Sequence, residues 1–201
     1  MLKLYEFAVS GNAHKIRLML SLLGLEYEGI AVNGSEKQHK SAEFLAMNPF
    51  GQVPVLLDGD LCLRDSNAIL VYLARQYGDA HWLPDEPAAM AQVMAWLATA
   101  ANELAWGPSR LRVHYQFGRE INVAESGQIT THLLPILEAQ LAGSDWLALG
   151  HLTIADIAIY PYIALAPEGK IDLSVYPAII AWLRRIQALP GYVGMPGMWQ
   201  G

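Results

Sequence analysis

The chain has 201 residues, of which 53% are hydrophobic and 16% charged. So apolar a chain can offset its ordering entropy by burial, which excludes disorder, and its length suits one large domain or two modest ones. A formal net charge of −6 argues against nucleic acid as a partner, because an acidic surface repels phosphate.

The chain opens on MLKLYEF, which carries charge within its first residues and has no apolar core, so it reads as a strand and not as a signal peptide. SGNAHKIRLMLSLLG follows as a helix, with Ala13, Ile16, Leu20 and Leu23 at helical spacing and Gly24 as its stop. EYEGIAV reads as a second strand. A polar loop runs to Lys40, and SAEFLAMN is a short helix ended by Pro49. In GQVPVLLDGDLCL, Asp58-Gly59 between two apolar runs signals a hairpin. Pro54 places its strand at an edge or costs it one donor.

Cys62, the single cysteine, excludes an intrachain disulfide and suits a reducing compartment; it reads as a buried core residue. DSNAILVYLARQYG is a helix with Ile69, Leu70, Leu73 and Tyr77 on one face. The order β-α-β-α-β-β-α over residues 1–78 predicts an α/β domain with a mixed sheet and a right-handed crossover.

Residues 79–87, with Pro84 and Pro87, read as a linker. Residues 88–201 read as an all-α domain. Ala88 to Ala105 is helical, Gly107-Pro108 bends or breaks it, and further helices are expected near 121–142, 153–166 and 176–188. Leu152 to Pro167 is the most apolar stretch, but Asp156 and Pro161 within it point to a buried helix and not a membrane span. Thr153 and Asp156 are spaced for a capping box. The C-terminal GYVGMPGMWQG reads as a loop. Together these features predict a cytoplasmic protein without membrane contact.

Four short segments carry candidate chemistry. Ser10-Gly11-Asn12 begins the first helix, whose free N–H groups and partial positive charge favour an anion such as a thiolate. The Ser10 hydroxyl could add a hydrogen bond; a plain helix cap is the alternative. In Gln52-Val53-Pro54, a cis proline would turn the Val53 N–H and C=O outward to pair with an extended peptide, whereas an ordinary edge-strand proline would not. Asp65-Ser66 begins the third helix. There a hydroxyl and free N–H groups suit a carboxylate and the aspartate suits an ammonium, although a simple cap fits the same residues. Lys37-Gln38-His39-Lys40 offers donors to a second carboxylate, or is a solvated loop. None of the four is specific alone. Together they describe a receptor for γ-glutamyl-cysteinyl-glycine. No His, Asp or Glu spacing suggests a metal site.

The stretches SGNAHKIRLMLSLLGLEYE, NPFGQVPVLLDGDLCLRDSNAILVYLARQYG and HLTIADIAIYPYI resemble the glutathione transferase superfamily, and the resemblance covers essentially the whole chain. It implies a thioredoxin-like N-terminal domain, an all-helical C-terminal domain and a cis Pro54. It implies that Val53 pairs with the cysteinyl backbone of glutathione and that Asp65 and Ser66 hold the γ-glutamyl head, with Gln52 nearby. KQHKS is similar to the glycine-carboxylate loop of theta-like members, which assigns His39 and Gln38. Ser10 matches the catalytic hydroxyl of serine-type classes. The SGN-HK pattern resembles bacterial, nu-like members in which an asparagine shares that role, here Asn12. The maleylacetoacetate isomerase branch carries an SSC-type motif that SGNA lacks.

The resemblance implies glutathione as co-substrate, an electrophilic second substrate and a homodimer, hence a glutathione transferase of detoxification type. A glutathione-dependent disulfide reductase, an ether-cleaving or dehalogenating enzyme, and a non-catalytic binding module of the same fold are the alternatives. Trp106, Arg110 and His114, at i, i+4 and i+8, are candidates for the second-substrate face; Gly107-Pro108 interrupts that spacing.

Overall fold

The computed structural model describes all 201 residues. Its first half runs β1 (Leu2–Glu6), α1 (Gly11–Leu22), β2 (Tyr27–Ala31), α2 (Ala42–Met47), β3 (Val55–Asp58), β4 (Leu61–Arg64) and α3 (Ser66–Gln76). The strands form one mixed sheet in the order β2-β1-β3-β4, with β2 parallel to β1 and both other pairings antiparallel. This is the expected thioredoxin-like arrangement. β3 is interior to the sheet, yet Pro54 removes no ladder donor, because pairing begins at Val55. The Val53–Pro54 bond is cis.

Two expectations in this half are corrected. Cys62 is exposed and not part of the core. It lies on the edge strand β4, on the side opposite Leu63, facing the two-turn helix α2, which is too short to cover it; its thiol donates to the Met47 carbonyl at 3.7 Å. Tyr77 leaves the core face of α3 because the chain departs the helix there. Its hydroxyl and that of Tyr72 both donate to Asp58, tying α3 to the hairpin turn.

The second half holds α4 (Pro87–Ala101), α5 (Arg110–Phe117), α6 (Val123–Gly143), α7 (Ile154–Ala164) and α8 (Pro177–Gln187). Pro87 is the first residue of α4 and not the last of the linker, with Glu86 capping it through bonds to Ala88 and Ala89 N–H. α4 ends four residues before the expected Ala105. A wider turn at Ala105–Ser109 absorbs the donor that Pro108 lacks and leads into α5. Apart from a short turn at Ala166–Gly169, the remaining helices fall where the periodicity places them.

α7 joins the two halves. All eleven of its residues are buried, packed against α1, α3 and α4, so Leu4, Ile16 and Leu70 share one core with Ile157 and Trp182. No helix is long and apolar enough to cross a membrane. The predicted capping box is present: Asp156 Oδ2 accepts from Thr153 N at 3.0 Å. Its Oδ1 accepts from Leu147 N at 3.0 Å and Trp182 Nε1 at 2.9 Å. Burial pushes this carboxyl up to about 6 against the pull of those donors.

The tail after α8 is a loop, as expected, laid along α1. Ser21 Oγ donates to Gly191 O at 2.7 Å, and His14 Nε2 meets Val193 O at 2.9 Å.

Candidate functional site

α1 begins at the centre of the molecule. Ser10 is its N-cap: Oγ accepts from Ala13 N at 3.2 Å, which uses a lone pair and leaves the hydroxyl proton available. Gly11 follows because a Cβ there would lie 2.8 Å from Cζ of Tyr162 on α7, closer than carbon atoms approach. The first turn of α1 is therefore seated directly against the helical half. Burial pushes the Tyr162 phenol above its usual range.

Beside this turn is a cleft of about 290 Å³, lined by Asn12, the Asn48–Pro54 loop and the Arg64–Ser66 segment. Local hydrogen bonds shape its floor. Asn48, 3% exposed, donates from Nδ2 to Gln52 O at 2.7 Å and accepts from Phe50 N at 3.1 Å. Lys40 Nζ reaches Phe50 O and Gly51 O, each at 2.9 Å. Gly51 has φ +58, and a Cβ there would lie 2.6 Å from His39 O, so only glycine fits. Arg64 stacks on the Phe50 ring at 4.7 Å.

The opposite wall is the start of α3. Asp65 caps it from a left-handed backbone, φ +72, which is strained for a residue with a side chain. Its Oδ1 accepts from Asn67 N at 2.9 Å and Ala68 N at 3.0 Å, leaving Oδ2 without a protein donor. Ser66 donates to Asn12 Oδ1 at 3.4 Å and accepts from Lys15 Nζ, also at 3.4 Å. Lys15 is 2% exposed. Its other contacts are Asn67 Oδ1 at 3.5 Å and the Tyr162 ring at 5.9 Å. Burial lowers this lysine to about 8, with Asp65 pulling the other way. With Oδ1 of Asn12 facing Ser66, its amide nitrogen has no protein partner. The cleft thus presents an unsatisfied carboxylate oxygen at one end, an unsatisfied amide donor near the other and a buried cation behind both. That donor set fits an amino-acid head next to a thiolate.

The structure brings Asn12, Gln52, Val53, Pro54, Asp65 and Ser66 together around this cleft, with Ser10 one turn-position away. Gln38 and His39 do not line it; the His39 carbonyl stands beside Gly51, which lies between the lining residues Phe50 and Gln52. Gln38 Oε1 is taken by Asn33 N at 2.7 Å, whereas the buried Nδ1 of His39 has no partner. Trp106 and Arg110 meet across the wide turn, the guanidinium 3.8 Å from the ring centroid. His114, one turn after Arg110 on α5, has its Nδ1 at 2.9 Å from Arg119 O. Lys15, Asn48, Arg64 and Tyr162 escaped the sequence reading. A lysine within an apolar helical run is the one signal that could have revealed Lys15.

Residues 1–75 match the family model described as glutathione S-transferase, N-terminal domain, and residues 108–190 match glutathione S-transferase, C-terminal domain. The crystal structure of a glutathione S-transferase from Pseudomonas fluorescens is 36% identical, with a TM-score of 0.89 over 97% of this chain and 98% of that one. A glutathione transferase homologue from Drosophila mojavensis with bound glutathione is 30% identical, with a TM-score of 0.85 over 94% and 88% of the two chains. Disulfide-bond oxidoreductase YfcG of Escherichia coli (strain K12) is 33% identical over 94% of this chain and 92% of its own length. The likeness extends across both halves of the fold, and the chain belongs to the glutathione S-transferase superfamily.

Proposed function

We propose that this chain is a glutathione transferase that stabilises the glutathione thiolate at the start of α1. The observation that carries the reading is the Ser10 hydroxyl, whose oxygen caps the helix while its proton stays free to donate. A cysteine thiol titrates near ~8.5, and lowering that by roughly two units requires about 2.7 kcal/mol of preference for the anion. One hydrogen bond to an anion supplies about 1.5–3 kcal/mol and a helix end about 0.3–1 kcal/mol. The two suffice without a metal.

In this reading Asp65 Oδ2 takes the ammonium of the γ-glutamyl head, and Ser66, through its hydroxyl and its own N–H, takes its carboxylate. Gln52 lies alongside, and Val53 pairs with the cysteinyl backbone. His39 and Gln38 hold the glycine carboxylate. The sulfur, accepting hydrogen bonds from the Ser10 hydroxyl and the Asn12 amide, attacks an electrophilic carbon; a C–S bond forms and the leaving group departs with its electron pair. Trp106 and Arg110 border the second substrate, and a cytoplasmic homodimer completes the reading.

Ser10→Ala tests it. The bound thiol pKa, followed by thiolate absorbance, should rise while glutathione affinity stays nearly unchanged. An unmoved titration removes Ser10 from the role and transfers it to Asn12.

Disulfide reduction is the second reading, favoured by the likeness to the disulfide-bond oxidoreductase YfcG. Turnover of hydroxyethyl disulfide without turnover of chlorodinitrobenzene would select it. Failure to bind immobilised glutathione would select a non-catalytic module instead.

A further inference from the structure

The turn from β1 to α1 presents two backbone carbonyls just before Ser10, and an arginine holds each. Arg17 of α1 donates from Nη2 to Ala8 O at 3.1 Å and pairs through Nη1 with Glu6. Arg112 of α5 donates from Nη1 to Val9 O at 2.9 Å and pairs through Nε with Glu168 Oε2 at 2.5 Å. The first hold is local. The second crosses from the helical half of the molecule, and its arginine side chain is only 5% exposed.

The Val9 carbonyl belongs to the same planar peptide unit as the Ser10 nitrogen and Cα. The other side of that plane is held too, since Ser10 N donates to Phe7 O at 3.0 Å. With both its oxygen and its N–H held, the plane resists rotation and Ser10 Cα is placed, while the bond from Ala13 N to Ser10 Oγ at 3.2 Å holds the hydroxyl on that base. Val9 itself is 48% exposed, so water could satisfy its carbonyl. A buried guanidinium adds a fixed position.

The holder is itself held. The Arg112 guanidinium lies 5.2 Å from the Phe117 ring centroid. A Cβ at Gly169 would stand 3.2 Å from Arg112 N, and one at Gly197 only 2.0 Å from Glu168 Oε1. A charge so deeply placed would be costly without its carboxylate.

We propose that Arg112 and Glu168 form a positioning pair through which the helical half orients the hydroxyl that activates the thiol. This rests on Ser10 being the thiolate donor. Neither residue touches glutathione. The pair acts through the Val9–Ser10 peptide.

The test uses the full chain in four forms: wild type, Ser10→Ala, Arg112→Gln and the double variant. The pH profile of kcat/KM with chlorodinitrobenzene gives the bound thiol pKa, and calorimetry gives glutathione affinity. Arg112→Gln should raise the thiol pKa by about one unit and lower kcat near neutral pH about tenfold, as displacement of a catalytic group does. Glutathione affinity should change by less than about threefold, well below that catalytic loss. In the Ser10→Ala background, Arg112→Gln should add no further shift. Arg112→Lys, which keeps one donor, should restore part of the loss. Should Arg112→Gln fail to fold, Glu168→Gln loosens the same pair and should move the profile in the same direction by less.

An unmoved profile in Arg112→Gln or Glu168→Gln, with Ser10→Ala shifted, overturns the pair and leaves Ser10 in place. A shift that adds to that of Ser10→Ala overturns action through Ser10. An unmoved profile in Ser10→Ala itself overturns the activation reading and the pair with it.

Discussion

Two helix starts in this protein bury charge next to an aspartate, and they do so in opposite ways. At α7, Asp156 is fully buried and both of its oxygens are occupied, with N–H donors at 2.9–3.0 Å. At α3, Asp65 is exposed with one oxygen free, and the buried Lys15 behind it makes only contacts of 3.4–3.5 Å. A satisfied buried polar knot holds a fold together, whereas a loose one keeps capacity for something that arrives later.

Removing the closed knot should have the largest effect. Asp156→Ala leaves Trp182 Nε1–H and the Leu147 and Thr153 N–H groups buried without an acceptor, and should lower the free energy of unfolding by about 3–5 kcal/mol. Urea denaturation measures it, and a loss below about 1 kcal/mol would erase the contrast.

The open site predicts the reverse. Lys15 is lowered from its ordinary 10.5 to about 8, so between those values the unfolded chain carries the additional proton. Stability from this group is therefore lowest below pH 8 and rises as pH climbs toward 10.5, by on the order of 3 kcal/mol in all. Lys15→Met should raise the neutral-pH melting temperature, abolish that alkaline gain and weaken glutathione binding. A variant both less stable and equally tight would make Lys15 an ordinary structural residue.

His14 stands between the two cases. Its Nε2 meets Val193 O, but its buried Nδ1 has no partner, and burial lowers it from 6.5 to about 4. The unfolded chain protonates first on acidification, so stability should fall as pH drops through 6.5 toward 4, by about 2 kcal/mol at pH 5. His14→Gln keeps a donor for Val193 and should flatten that slope. Thermal melts at pH 7 and pH 5 would show it.

Asp65→Ala should weaken glutathione more than tenfold, at least about 1.4 kcal/mol, while the lost cap costs about 0.5–2 kcal/mol of stability. An unchanged dissociation constant by calorimetry would remove Asp65 from the site.

The features legible in the amino-acid order are those carried by short-range chemistry. The hairpin at Asp58-Gly59, the Thr153–Asp156 box and the cap at Asp65-Ser66 are each a few residues long and need no partner to be recognised. What escaped depends on the two halves meeting. α1 reads as a helix with one apolar face, yet eight of its twelve residues are buried because α7 covers a second side. That second side is what encloses Lys15 and His14. Arg112 reaches Val9 across 103 positions, a distance at which no spacing rule operates. Cys62 alternates correctly for a strand, but exposure of its face follows from how short α2 is.

The 2.8 Å approach between a Cβ at position 11 and Tyr162 also limits how the seam between the two halves can change. Any larger residue at 11 demands a smaller one at 162, so the two must alter jointly. The start of α1 is thereby anchored against α7.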